Sequence, residues 1–515
     1  MPKGNVLYIT ADQWRGDCLS ALGHPVVETP TLDRLAADGV LFANHWANTA
    51  PCGPSRTTLH TSMYAQNHRS VLNGTPLDSR FTTVALEARS AGWDPVLFGY
   101  TDTSIDPRTV PADDPRLRNY EGILPGFRPV VNDPEEVGDS AEWGRWLASK
   151  GIDVPTNPRD LYAPQRDYPG ADAHGESWAP TRFAAEHTET AFLMEHLLAW
   201  LDAHAGQEPW FVHASFIRPH PPYRNPVGYH DRYSADVGPG FRGRATREEE
   251  QEMHLLAKLS IPVVGCPTDE RDRRQLRATY YGMMAEVDTQ LSRLFAWLDG
   301  SGQIDDTLVV LTSDHGDQMG DHWLVEKLGY WDESYHVPLI IRDPSEAAAA
   351  CRGTVVRSFT EHVDVMPTIL DWMGIEVPLQ CDGRALRPFL REGSAPPDWR
   401  TECHWEWDFR DPERHQGEDL FGIPMEHCSL NVVRSADHKY VHFGAGADVL
   451  PPLLFDLGSD PEQTCDLAAD PASAQVRADM AGRLLSWRMR HDERTLTGHF
   501  LSPRQGLVVR RDPRR

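Results

Sequence analysis

Three short polar clusters in this chain hold residue types that suit a divalent cation. Thr10-Ala11-Asp12-Gln13 closes one β-branched run, Ser313-Asp314-His315-Gly316 closes a second, and Ile217-Arg218-Pro219-His220-Pro221-Pro222 closes a third. Two carboxylates, an amide oxygen and an imidazole form a hard-to-borderline donor set, suited to calcium, magnesium or manganese with one nitrogen ligand. Singly, each signal is ordinary: an Asp after a strand is a helix N-cap more often than a ligand, and a lone His is more often a hydrogen-bonded core residue. Their joint occurrence is what points to a site. Each follows a predicted strand, and open α/β sheets bind ligands beyond the carboxyl ends of their strands.

The clusters need a sheet to bring them together. Apolar, β-branched runs predict strands at 6–10, 95–99, 210–216, 308–312 and 337–341. Thr29 to Gly39 has a capping Thr, apolar residues three and four apart and a terminal Gly, which predicts a helix. Arg273 to Asp299 places Leu276, Tyr280, Met283, Val287, Leu291 and Leu294 on one stripe and stops at Gly300. Such alternation predicts the α/β class, a mostly parallel sheet sandwiched by helices. Residues 103–182 and 218–272 are rich in Pro, Asp and Gly and read as insertions at the mouth of the sheet. From about residue 355 the texture changes: Ser429 to Arg434 and Lys439 to Phe443 read as a β-hairpin, and Ala472 to His491 as a final amphipathic helix. The expected division is a catalytic domain over 1–354, a smaller C-terminal α+β subdomain over 355–496, and a tail over 497–515 with no periodic element of its own.

Bulk properties bound the function. With 515 residues, 40% apolar and 24% charged, the chain can bury a sizeable core. Fifty Lys and Arg against 76 Asp and Glu leave a net charge of −26, a field that repels nucleic-acid backbones and anionic membrane surfaces, so neither is an expected partner. No apolar run approaches the ~18 residues of a spanning helix, and the first residues carry no secretion signal. A cytoplasmic location is expected. The eight cysteines are scattered without a CxxC pair, against a zinc ribbon or disulfide framework; seven read as buried thiols.

Cys52 differs by its setting, Ala50-Pro51-Cys52-Gly53-Pro54-Ser55-Arg56-Thr57. Here the chain resembles the type I sulfatases of the alkaline phosphatase superfamily, whose Cys-x-Pro-x-Arg motif is recognised by a maturation enzyme that oxidises the Cys to formylglycine. The motif follows a strand ending in Asp and precedes the Ser-Asp-His-Gly cluster, in the family's order. Further stretches resemble the phosphonate monoester hydrolase/phosphodiesterase branch: Cys52 to Asp78, Gly99-Tyr100-Thr101, Asp106-Pro107-Arg108, Arg218 to Pro222, Thr312 to Gly316, Lys327 to Tyr330, Glu361 to Trp372 and His404 to Arg410. The resemblance implies an alkaline-phosphatase-like fold. It also implies one divalent metal held by Asp12, Gln13, Asp314, His315 and the modified Cys52. Arg56 would stabilise the nucleophile, Lys327 and His220 would contact the non-bridging and leaving oxygens, and Asn73 and Tyr100 would supply neutral hydrogen bonds. The hydrated aldehyde offers a nucleophilic hydroxyl and a second hydroxyl whose deprotonation expels the product.

One departure bears on substrate. Where that branch carries Thr two residues after the Tyr100 position, this chain has Asp102, in a place where typical sulfatases carry His. The sequence therefore leans to hydrolysis of sulfate monoesters, of arylsulfatase type, overlapping with phosphonate monoesters and phosphodiesters; the alternative is a phosphonate monoester hydrolase/phosphodiesterase first. A transferase or mutase of the superfamily, or a non-catalytic binding protein, is a remoter reading. The resembling branch forms oligomers, so a homo-oligomer, dimer or tetramer, is expected, with Phe500, Leu501 and 507–509 of the tail reaching a second subunit.

Overall fold

In the computed structural model, which describes residues 4–132, 142–155, 158–207, 209–493 and 495–509, an eight-stranded sheet is the organising layer. Its strands are β1 (Asn5–Ala11), β2 (Val40–Phe42), β3 (Pro95–Gly99), β4 (Arg128–Asn132), β5 (Phe211–Phe216), β6 (Thr307–Thr312), β7 (Leu339–Arg342) and β8 (Thr354–Val356), in the spatial order β8-β2-β7-β6-β1-β5-β3-β4. All neighbouring pairs are parallel except those made by β7, which runs antiparallel to β2 and β6. The expected strand over 337–341 is in fact two. Pro338 has no N–H to give a ladder; on one side His336–Val337 pairs with His45–Trp46, and on the other β7 joins the main sheet.

Side chains alternate across a strand, and β1 shows both faces covered. Leu7, Ile9 and Ala11 enter one core with Leu32 and Leu35 of α1 (Pro30–Asp38), Leu197 of α3 (Glu189–His204) and Tyr280 and Leu291 of α4 (Glu270–Gly300). Val6 and Tyr8 enter the other, with Leu59 of α2 (Cys52–Thr61) and Ile369 of α5 (Val365–Met373). Burial on both faces is why these strands read as continuous apolar runs. In α4 the whole expected stripe from Leu276 to Leu294 is buried, and Asp269 caps its first turn by accepting from the Asp272 amide at 3.1 Å.

Beyond residue 354 the chain does not leave the main sheet at once, because β8 pairs with β2 and α5 packs on the core beneath β1. The smaller antiparallel sheet starts later, in the order β9 (Glu402–Asp408), β10 (Ser429–Ser435), β11 (His438–Phe443), β12 (Leu453–Asp456). Met480, Leu484 and Trp487 of α6 (Ala474–Arg490) pack against its Val433, Tyr440 and Leu454. A division of the chain near residue 400 therefore follows the packing better than one at 354. The tail also departs from expectation: β13 (His499–Ser502) and β14 (Gly506–Val509) pair as a hairpin closed at Gly506, whose φ of 71° suits glycine. Arg510 to Arg515 lie outside the described residues. All eight cysteines are unpaired; six of the seven expected to be buried thiols are buried, as is Cys52, but Cys465 is exposed.

Candidate active site

The carboxyl ends of β1, β3, β5 and β6 meet the N-terminus of α2 at one point. The helix is polar in sequence, CGPSRTTLHT, yet all ten residues are buried. Its hydroxyls are satisfied locally: Thr57 donates to the Gly53 carbonyl at 2.9 Å, and Ser55 to the Asp314 carbonyl. Asn73 Oδ1 accepts from the Gly53 amide at 2.9 Å, replacing the absent side-chain cap for one of the orphan N–H groups of the first turn. A Cβ on Gly53 would lie 3.0 Å from the Asp102 carbonyl oxygen, so the helix start and the loop after β3 are in close contact.

At that helix start, donor atoms of Asp12, Cys52, Asp314 and His315 all lie within 4.8 Å of one another, and all four residues are buried. Cys52 Sγ is 3.1 Å from His315 Nε2, whose ring faces the Gly316 carbonyl with Nδ1 at 3.1 Å. Donation from Nδ1 leaves the Nε2 lone pair for the donor group. Burial and the Lys327 charge hold the His315 imidazole below its ordinary range although Asp314 and Asp12 oppose them, which keeps it a neutral ligand. Burial works against the Asp12 charge, yet the Arg56 and Lys327 cations beside it hold that carboxyl far below the usual carboxylate range. Asp12 Oδ1 has no hydrogen-bond partner among the described residues. A completely buried acceptor of this kind is costly unless a cation meets it, so two carboxylates, an imidazole and residue 52 fit a divalent ion.

Arg56 braces the group from behind. Its Nη2 donates to Asp12 Oδ2 at 2.9 Å, Nε to Asp314 Oδ2 at 3.0 Å, and Nη1 to Ser215 Oγ at 2.7 Å and the Tyr100 carbonyl at 3.1 Å. The guanidinium also lies 4.1 Å from the centre of the Tyr100 ring. Arg56 thus bridges the two carboxylates, a pairing that the planar guanidinium fork matches. Tyr100 likewise donates its hydroxyl to Asp12 Oδ2 and not into open substrate space.

On the outer side, Lys327 Nζ donates to Gln13 Oε1 at 3.0 Å and to His220 Nε2 at 2.9 Å, while His220 Nδ1 faces the Pro221 carbonyl at 2.9 Å. Gln13, at a φ of 67°, has its amide orientation fixed by donation to Asp317 Oδ2 at 2.6 Å. Asp102 ends β3's loop with a φ of 50°, only 4% exposed, and both of its carboxylate oxygens lack a hydrogen-bond partner among the described residues. Burial pushes its carboxyl up to about 8, with Glu121 and Asp12 adding to the effect and Arg56 opposing it.

Every residue expected at the site therefore lies in or against it, though Arg56, Tyr100 and Asn73 hold protein groups in place. Sequence reasoning missed Asp317, Ser215 and Tyr223. Asp317 stood two residues past His315 in the same polar run, a signal that was available; Ser215 lies in an apolar strand and Tyr223 after the proline turn, where nothing in spacing marks them.

Comparison with known proteins agrees with this geometry. The Sulfatase family model matches residues 4–375, and the model described as N-sulphoglucosamine sulphohydrolase, C-terminal, matches 320–490. The multifunctional alkaline phosphatase superfamily protein PehA of Trinickia caryophylli is 42% identical, covering 99% of this chain and 100% of its own. The crystal structure of the phosphonate monoester hydrolase of Agrobacterium radiobacter superposes with a TM-score of 0.92 at 44% identity, over 99% of this chain and 100% of that one. An arylsulfatase of Clostridium perfringens is 27% identical over 90% of each chain. With its fold, its buried donor group and these relatives in agreement, the chain belongs to the sulfatase family of the alkaline phosphatase superfamily and is an ester hydrolase.

Proposed function

We propose that this chain is a metal- and formylglycine-dependent hydrolase acting first on phosphonate monoesters and phosphodiesters, with sulfate monoesters as secondary substrates. This reverses the order read from Asp102 alone. Relatives named for phosphonate or multifunctional hydrolysis stand at 42–44% identity over nearly the whole chain, and the arylsulfatase at 27%. A single buried donor group, the one such cluster among the described residues, supports monoanionic esters. Phosphonate monoesters, phosphodiesters and sulfate monoesters each carry one negative charge on the transferred group, whereas a phosphate monoester carries nearly two.

Asp12, Gln13, Asp314, His315 and residue 52 would hold the divalent ion, Mn, Ca or Mg, which with the aldehyde hydrate derived from Cys52 supplies a hydroxyl of lowered pKa. The encoded thiol is ill suited to that task, since burial and the Asp12 carboxylate hold it well above the ordinary thiol range although Lys327 opposes them. Arg56 keeps Asp12 and Asp314 aligned. Lys327 would offer its charge to an oxygen of the transferred group, and His220, within hydrogen-bond reach of that ammonium, would pass a proton to the leaving oxygen. The α2 N-terminus adds partial positive charge for the anion. Unpaired cysteines throughout support a reducing, cytoplasmic setting, with a formylglycine-generating enzyme as partner.

Parallel rates on an aryl sulfate, a phenyl phosphonate monoester and a bis-aryl phosphate test the reading. The phosphorus esters should show the higher kcat/KM; a sulfate-first ranking would overturn it. In the same preparation the tryptic peptide carrying residues 50–56 should be lighter than encoded, and full activity with an intact thiol would remove formylglycine from the account.

A further inference from the structure

Beside the leaving-group side of this site lies a cavity of about 690 Å³. It joins the site through three contacts. Pro221, one of its walls, takes the hydrogen bond of His220; Glu326 approaches Lys327 Nζ to 3.8 Å; and the Tyr223 hydroxyl donates to Asp317 at 2.7 Å, beside Gln13. Tyr120 closes the opposite wall, its carbonyl accepting from Ser104 Oγ at 3.0 Å next to the Asp102 loop.

The wall is apolar and aromatic, with charges of mostly one sign. Among its described residues, Asp160, Glu176, Glu189, Asp272 and Glu326 line the wall with one guanidinium, Arg224, while Arg166 lies 3.6 Å from Glu176 and Lys327 3.8 Å from Glu326. The Tyr162 ring already carries Arg218 on its face at 4.3 Å, so contact between a cation and an aromatic ring is chemistry this wall uses. Across the reacting centre, Asp102 is 4% exposed and both of its carboxylate oxygens lack a hydrogen-bond partner among the described residues. A cleft of one sign concentrates ligands of the other.

Resting on the ester-hydrolase reading, we propose that this cavity selects esters whose leaving group is bulky and positively charged, an ammonium held by tyrosine faces and carboxylates. Anionic leaving groups are rejected by the same field. The substrate is then zwitterionic, with its negative charge on the transferred phosphorus or sulfur group at the donor cluster and its positive charge in the cavity.

Three aryl esters of phenylphosphonate test this, bearing at the meta position trimethylammoniomethyl, its neutral isostere neopentyl, or the smaller anionic carboxymethyl, with rates corrected for uncatalysed hydrolysis. The cationic ester should exceed the neutral one in kcat/KM by about tenfold at low salt, and the anionic ester should fall below both. The cation-to-neutral ratio should shrink toward one in 0.5 M salt, where the Debye length falls to about 4 Å from about 30 Å in dilute buffer, and in the double variant Asp160→Asn, Glu176→Gln. Equal corrected kcat/KM for the cationic and neutral esters, or a ratio the double variant leaves unaltered, overturns the proposal. If none of the three is hydrolysed, the hydrolase reading has failed, and the cavity is still judged by calorimetry with 3-(trimethylammoniomethyl)phenol: binding weakened by the double variant supports it, and no binding overturns it.

Discussion

Asp314 sits where three demands meet. Its Oδ1 accepts from the Gln13 and His315 amides at 3.1 and 3.0 Å, and its Oδ2 from Arg56. Asp314→Asn keeps the size but removes an anionic ligand, so metal content and rate should fall in parallel, by about tenfold or more. His220 lies outside the donor cluster, and His220→Ala should keep the metal while losing roughly 10²–10⁴ in kcat, the usual reach of a proton-transfer group. Elemental analysis beside steady-state rates separates the two, and equal metal loss in both variants would contradict this division. Asp102 makes a prediction about pH. Its carboxyl titrates near 3.9 in an unfolded chain and is pushed up to about 8 in the fold, first by burial. A raised value stabilises the fold below the unfolded pKa, and that contribution is lost as pH climbs through the folded one. Asp102→Asn does not titrate, so its melting temperature should gain on that of the parent between pH 5 and pH 9, by roughly a few degrees; a constant gap across that range would show that the carboxylate is matched by a cation in the native protein.

At the level of elements, α2 depends on a cap borrowed from another part of the chain. Asn73→Ala removes the acceptor for the Gly53 amide and should cost about 1 kcal/mol in stability, together with a slower rate because the helix start carries Cys52. Chemical denaturation and kcat on one variant check both, and a loss of KM alone would return Asn73 to direct substrate contact. The same helix explains what the sequence could and could not disclose. The strands were legible because burial on both faces leaves uninterrupted apolar runs, and α4 because its stripe from Leu276 to Leu294 repeats over many turns. Asp12, Cys52, Asp314 and His315 were legible because each ends or begins an element at one rim. The division of labour among Arg56, Tyr100 and Asn73 was not, since a guanidinium between two carboxylates that follow β1 and β6 joins residues 44 and 258 positions away, which no local pattern encodes. The edge strands β4 and β8 and the sheet strands β9 and β12 escaped for the opposite reason: they are short or mixed in polarity and are specified by their neighbours.

For the molecule as a whole, the hairpin β13–β14 is the feature that one chain leaves unfinished. Phe500, Leu501 and Leu507 are 67%, 78% and 60% exposed, although a two-stranded hairpin is marginal in water without a surface to cover its apolar side. A net charge of −26 repels identical chains, so any self-association must come from a local apolar contact. We propose that this hairpin is that contact, packing on a second copy of the chain in an isologous exchange that closes as a dimer or pairs of dimers. Deletion of residues 497–515 should lower the mass in solution to that of the monomer while the isolated fold keeps its metal, because among the described residues β13 and β14 make no strand pairing outside each other. Light scattering on the full-length and truncated proteins decides it. A full-length monomer, or an oligomer that survives the deletion, would show that the exposed side chains serve some other contact, and Leu501→Glu with Phe500→Glu in the intact chain would separate loss of the interface from loss of the tail.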